Sequence, residues 1–454
     1  MVFKMARARR TRRVCGDAEF GDYCTCRRNC VIPAQGIKGE QVVEAMTRIS
    51  TIRGAPRASF PGTGTKTVMP HLFSPYTLKD ITLRNRIVMS PMTMYRSDEG
   101  CMTDFHVMLL GSRAAGGFGL VFPEQIAITP DGRTSVSCAG IWDDTQIEGL
   151  ARVTRIIKDM GGVPAIQLGH TGRKGSLNKP WEGNNQLHPE HPDGWQVRGP
   201  SPIPYGGRSQ LPVHELGVDE IGALHQAYAD AARRAEAAGF QWLELHFAHG
   251  YLGSSFFSPL ANKRLDAYGG DLAGRLRFHL EAIDAVRAVW PERLPLTIRL
   301  GSDDLHADGI QFDDAVLAID RMKDHGIDLA DISFGFNTDA MNKNPLAEVA
   351  AMVERGARVR REVGIPVGVS WNLGQPAVAD RAIREEKIDL VLLGRPALAN
   401  PHWPFWAARE LDEPDPLSHL PEDWSWWLRR SGPDDPNLGW PGRQWSDQMP
   451  QTSA

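Results

Sequence analysis

No run of 18 apolar residues occurs in this 454-residue chain, which excludes a membrane-spanning helix. Cysteine is scarce: six residues, unevenly placed, are too few for a disulfide framework. No apolar signal segment opens the chain, so a reducing cytoplasm is the default expectation. A G-x-G-x-x-G turn is missing from every strand exit, the first of which reads RIVMSPMTMY, and that removes the usual dinucleotide-binding fingerprint. Repeats of the solenoid kind are also missing.

Excess charge of one sign is lacking too. The formal net charge is −4, with 42% hydrophobic and 23% charged residues, the composition of a globular protein. The charge is unevenly spread, however. Residues 1–70 hold 13 Lys/Arg against 5 Asp/Glu, a net of +8, which leaves −12 for the remainder. A basic arm ahead of an acidic globule does not describe a nucleic-acid-binding fold. Cys15, Cys24, Cys26 and Cys30 lie in that arm, but without the paired C-x2-C spacing of a zinc site. The arm reads as disordered chain, a targeting segment, or sequence upstream of a start at Met46 or Met69.

From about Leu72 apolar strands alternate with amphipathic helical stretches. The strands are Arg86–Met89, Gly119–Ala127, Val163–His170, Phe240–Ala248, Leu294–Ser302, Leu329–Gly335, Ile365–Ser370 and Ile388–Gly394. The helices that follow them are Asp104–Ala115, Glu148–Met160, Val218–Gly239, Arg275–Trp290, Phe312–His325, Ala347–Val363, Pro376–Glu386 and one near His402–Leu411. Strict β/α alternation implies a parallel sheet, and eight repeats are the number that closes a (β/α)8 TIM barrel, an α/β fold. The predicted organisation is a basic extension over 1–70, a barrel over 71–412, and a tail over 413–454. That tail's Trp424, Trp426, Trp427, Trp440 and Trp445 are expected to pack on the barrel or a neighbouring subunit.

In such a barrel the chemistry sits where strands end at the C-terminal face. Those exits carry Ser90 to Tyr95, Glu124-Gln125, Gln167 with His170 beyond it, His246 to Tyr251, Arg299 and Gly394-Arg395. A guanidinium inside the apolar strand LTIRL is expensive to bury without an anion. Arg299 therefore faces either a bound anion or an acidic neighbour on an adjacent strand. His246 and His249 can turn toward one point, as metal ligands or as two N–H donors. Tyr251 adds a phenol able to give up a proton, and Gly394-Arg395 suits a phosphate.

The motifs LFSPYTLKDITLRNRIVMSPMTMY (72–95), IQLGHTGRKG (166–175), ELHFAHGYL (244–252), SPLANKRLDAYGG (258–270) and DLVLLGRPALANPHWP (389–404), in that order, resemble the Old Yellow Enzyme family of FMN-dependent NAD(P)H oxidoreductases. The likeness is to its ene-reductase and xenobiotic-reductase-like subgroup. The resemblance implies that Pro91, Met92 and Thr93 lie along the flavin. Gln125 by its backbone and Gln167 by its amide would hold the pyrimidine edge, Arg299 would face N1 and O2, and Gly394 and Arg395 would bind the phosphate. His246 and His249 would bind a substrate oxygen, with Tyr95 nearby, and Tyr251 would donate the proton. It further implies NADPH or NADH as reductant, an enone, quinone or nitro compound as acceptor, and ping-pong order. A homo-oligomer is compatible with it.

The sequence departs from that pattern at three places: Thr93 stands where the subgroup often has cysteine, Ser370-Trp371-Asn372 where the family has a small turn, and Gly274-Arg275 where it has Asn-Arg. Two other readings are a metal-dependent hydrolase using His170, His246 and His249, and a barrel that lost FMN to Trp371 and serves as a binding protein.

Overall fold

The computed structural model describes residues 71–342 and 351–431, which lie within one compact unit. The cysteine-bearing arm, the start of the helix expected from Ala347, and Trp440 and Trp445 lie outside the described residues.

The first described elements are a hairpin that the sequence reading did not contain. Strands β1 (Tyr76–Leu78) and β2 (Ile81–Leu83) pair antiparallel, with Tyr76, Ile81 and Leu83 buried and Thr77 and Thr82 sharing an exposed hydrogen bond. Three-residue strands are too short for a period of two to declare itself. Asp80 N donates to Arg293 O just ahead of the fifth barrel strand, so the hairpin lies at the N-terminal end of the barrel, away from the mouth.

The barrel begins with β3 (Ile87–Met89) and α1 (Asp104–Ala115). The second strand, expected to be continuous over Gly119–Ala127, is broken into β4 (Leu120–Val121) and β5 (Gln125–Ala127). Pro123 stands between them and has no amide to give a neighbour; its carbonyl instead accepts from Met92 N. Helix α2 (Ile147–Asp159) buries Leu150, Val153, Thr154 and Ile157 on one face and stops before Gly161, whose φ of +76° suits glycine. Strand β6 (Val163–Gly169) follows, then a small parallel pair, β7 (Arg198–Gly199) and β8 (His214–Glu215), within the long loop.

The rest runs α3 (Val218–Ala237), β9 (Trp242–Phe247), α4 (Leu252–Phe257), α5 (Leu272–Arg287), β10 (Leu296–Gly301), α6 (Phe312–Asp324), β11 (Leu329–Ser333), α7 (Ala351–Val363), β12 (Val367–Val369), α8 (Pro376–Arg384), β13 (Leu390–Leu393), α9 (Arg395–Ala399), α10 (Trp403–Glu410) and α11 (Glu422–Ser431). Helix α4, a single short turn after β9, was not foreseen.

All barrel pairings are parallel, and β13 pairs with β3 while β4 bridges β3 and β6, so the ring of eight strand positions closes as a TIM barrel. Strand alternation sends Glu244 and His246, Thr297 and Arg299, and Asp331 and Ser333 inward from β9, β10 and β11. Leu245, Ile298 and Ile332 point outward to the helices and are fully buried. In the tail, Trp424 leans on His402 with ring centroids 5.8 Å apart, whereas Trp426 and Trp427 pack on each other and are 50% and 67% exposed.

Truncating a buried strand residue leaves a cavity that the closed ring cannot collapse to fill. Ile298→Ala is expected to cost about 2–5 kcal/mol, measured as a lower urea midpoint with unchanged slope.

Candidate active site

At the C-terminal ends of the strands lies a cavity of about 860 Å³, within the roughly 300–1,000 Å³ of small-molecule and cofactor sites. Of the residues expected at the site, Pro91, Met92, His249, Arg299, Gly394 and Arg395 line it, and Ser90 and the turn 370–375 complete its wall. Thr93, Tyr95, Gln125, Gln167, His246 and Tyr251 are not on that lining.

The guanidinium of Arg299 spans the wall of the cavity. Its Nη1 donates to Ser90 Oγ at 3.0 Å and its Nη2 to Ser370 Oγ at 2.7 Å. On its far side Nε stands 3.0 Å from Asp331 Oδ2 on the next strand. Of the two alternatives that the sequence left open for this cation, the acidic neighbour is present, and the guanidinium also borders the cavity.

The amides of Gln125 and Gln167 are register partners on β5 and β6. Gln167 Nε2 donates to Glu244 Oε1 at 2.7 Å, so that donor is committed within the barrel. Gln125 Nε2, although buried, has no hydrogen-bond partner among the described residues and is the freer of the two. Thr93 is half-buried. Tyr95, at φ +55°, meets Trp181 edge to face at 5.6 Å, and burial raises its phenol pKa.

His246, His249 and Tyr251 form one aromatic cluster. The His246 ring lies 4.9 Å from that of His249 and 5.2 Å from that of Tyr251, edge to face in both cases. His249 adopts φ +63°, a left-handed conformation uncommon outside glycine, and two side-chain contacts hold it there. Lys174 Nζ donates to its carbonyl at 2.7 Å, and its Nε2 shares a hydrogen bond of 2.7 Å with Ser333 Oγ. Gly250, at φ +72°, has no room for a side chain, since a Cβ would fall 2.3 Å from Phe336 O. Burial, and then the Arg299 cation, hold both imidazoles well below the usual histidine pKa. Burial raises the Tyr251 phenol and lowers Lys174 to about 7. The site thus holds two neutral imidazoles and a protonated phenol at neutral pH.

Trp371, at φ +80°, turns its indole edge against Phe334 and Phe336, 5.3 and 5.8 Å away. It forms one wall of the cavity and does not plug it. The residues fit a flavin phosphate at the other end: Arg395 is exposed with no ion-pair partner among the described residues, next to Gly394 and Gly374. At Gly374 a Cβ would fall 2.9 Å from Pro396 Cγ, so the turn must stay bare.

Residues 71–413 match the model of the NADH:flavin oxidoreductase / NADH oxidase family. The chain belongs to that family. It is 40% identical over 348 residues to an NADPH dehydrogenase of Geobacillus thermodenitrificans (strain NG80-2), covering 75% of this chain and 94% of that protein. Among solved structures it is similar to morphinone reductase in complex with tetrahydroNAD, at 27% identity and a TM-score of 0.63 over 78% of this chain and 94% of that one. It is also similar to the Old Yellow Enzyme homologue of Zymomonas mobilis, at 25% identity and a TM-score of 0.59 over 75% and 93%. This family member is an NAD(P)H-dependent flavin oxidoreductase with FMN as cofactor. The metal-hydrolase reading falls with that membership, and His170 is turned elsewhere. Its Nδ1 accepts from Gly172 N and its Nε2 faces Asp131 at 3.8 Å.

Sequence reasoning missed Glu244, Asp331, Ser333 and Lys174. The first two carried the same signal as Arg299, an ionisable group within an apolar strand.

Neutral in the fold and protonated in the unfolded chain below about pH 6.5, His246 and His249 bind fewer protons folded than unfolded. Their contribution to stability is therefore lost as pH falls through that value. Between about pH 7 and 5 the wild type should lose more Tm, or gain less, than His246→Asn. An unaltered slope would mean that His246 is charged in the native state.

Proposed function

We propose that this flavin oxidoreductase is an ene-reductase of the Old Yellow Enzyme type, acting on an α,β-unsaturated carbonyl, a quinone or a nitro compound. The observation that carries the reading is the cluster of His246, His249 and Tyr251, two neutral N–H donors and one phenol beside a cavity walled by a cation. Bound FMN would supply the chemistry of hydride transfer, accepting from NADPH or NADH and delivering to the acceptor.

The chain's own groups would do the rest. Pro91, Met92 and Thr93 would lie along the ring, and Gln125 and Gln167 at its pyrimidine edge. Arg299 would present Nη1 and Nη2 to the side where negative charge gathers. Gly394 and Arg395 would hold the phosphate. A hydroxyl that donates from Ser333 to His249 Nε2 leaves Nδ1–H of a neutral ring free to point at the substrate. The His246 Nδ1, buried with no hydrogen-bond partner among the described residues, is a candidate for a second such contact. Two donors on the substrate oxygen draw electron density from the conjugated double bond and make its β-carbon electrophilic. Tyr251, kept protonated by burial, would move its proton to the α-carbon. Tyr95 would border the acceptor. One opening would serve nicotinamide and acceptor in turn, which would make the order ping-pong.

Stopped-flow measurement of each half-reaction tests this reading. His246→Ala should leave enzyme reduction by NADPH largely intact and slow enone reduction on the order of 10² to 10³-fold; equal loss in both halves would contradict the assigned role. Arg299→Ala should lower the flavin potential, and an unchanged potential would remove Arg299 from the ring.

A further inference from the structure

Two buried carboxyls behind Arg299 have no part in the chemistry described so far. Glu244 on β9 and Asp331 on β11 are 2% and 0% exposed, and both point into the barrel. Asp331 is the register partner of Arg299. Neither of its carboxyl oxygens has a hydrogen-bond partner among the described residues, so charge attraction to Arg299 alone compensates it. Glu244 lies two residues before His246 on β9, held by Gln167. Asp331 thus stands at the level of the guanidinium and Glu244 at the level of Thr297, one inward-facing layer deeper in the barrel.

Apart from Lys174, which burial lowers to about 7 and which therefore changes charge within the same pH range, the surroundings add little charge of their own. Strand β12 sets Gly368 beside Asp331. His246 and His249 are neutral near pH 7, and Lys174 is engaged with the His249 carbonyl. Helix α7 packs outside β11, with Arg355 paired to Asp303, Arg358 to Glu362 and Arg360 to Asp389.

We propose that Asp331 and Glu244 tune the redox potential of the bound flavin by governing how much of the Arg299 charge reaches it. The inference rests on the placement of Arg299 at the ring. When a nicotinamide C–H bond breaks and its electron pair and hydrogen pass to the oxidised ring, NAD(P)+ departs and the site gains one negative charge. A cation beside the ring favours that state, and a carboxylate behind the cation offsets it. Two buried carboxyls on the strands that flank Arg299 resist ionising together. Burial, with Asp331 beside it, pushes the Glu244 carboxyl up; burial also pushes Asp331 up against the lowering pull of Arg299. A proton drawn from solvent onto this pair as the ring gains charge would strengthen the field of Arg299. It would return to solvent once the hydride has gone to the acceptor.

The test is the midpoint potential of the FMN-loaded enzyme between about pH 5 and 9, read from flavin absorbance against a reference dye. The wild type should fall with pH more steeply than the roughly 30 mV per unit of a one-proton, two-electron couple. Asp331→Asn/Glu244→Gln keeps shape and the Gln167 contact. It should follow the one-proton slope and favour the reduced flavin at least about tenfold more at pH 8, roughly 30 mV. Asp331→Asn alone should also shift the potential upward. A flavin-loaded double variant with wild-type potential and slope would overturn the proposal. Should the variants lose FMN, the wild type decides alone, and a one-proton slope throughout overturns it. If Arg299→Ala leaves the potential unchanged, the placement of Arg299 has failed. If Arg299→Ala lowers it while the double variant changes nothing, only this inference has.

Discussion

A guanidinium inside a closed barrel is costly to hold, and the arrangement around Arg299 shows how that cost is met. Asp331 stands 3.0 Å behind it, and hydroxyls of Ser90 and Ser370 accept its forward donors. Removing one partner of such a buried pair is typically worth several kcal/mol. The same cation helps to keep His246 and His249 neutral, so one buried charge both borders the cavity and sets the protonation of two imidazoles.

Around that charge the backbone is held in unusual shapes. Tyr95, His249, Trp371 and Asn372 all have positive φ and all follow strand ends. Each such residue costs on the order of 1–3 kcal/mol unless its surroundings enforce it. Here they do: Lys174 and Ser333 grip His249 at its carbonyl and its ring, and Phe334 and Phe336 take the Trp371 indole. A rigid barrel with short, over-determined exits positions donors more closely than free loops could.

Much of this was legible in the sequence because apolar periodicity reports burial directly. Helix α2 lies within one residue at each end of where its pattern puts it, and the eight strand positions fall where alternation of β and α segments puts them. Where local signals conflict, legibility ends. Pro123 interrupts an apolar run that otherwise reads as one strand, and the β1–β2 hairpin is too short for a periodic signal. Trp371 looked able to block a cofactor because its sequence position says nothing of which way an indole turns.

What the sequence by itself determined is the barrel, the inventory of groups at the strand exits, and the presence of a buried cation that demands an anion, since hydrophobic patterning and desolvation cost act along the chain. Only the tertiary structure decided how those groups combine. Asp331 faces Arg299 from another strand, Gln167 spends its amide on Glu244, and Lys174 reaches His249 across 75 positions. These pairings depend on strand register and loop path, which arise only when the ring of strands closes.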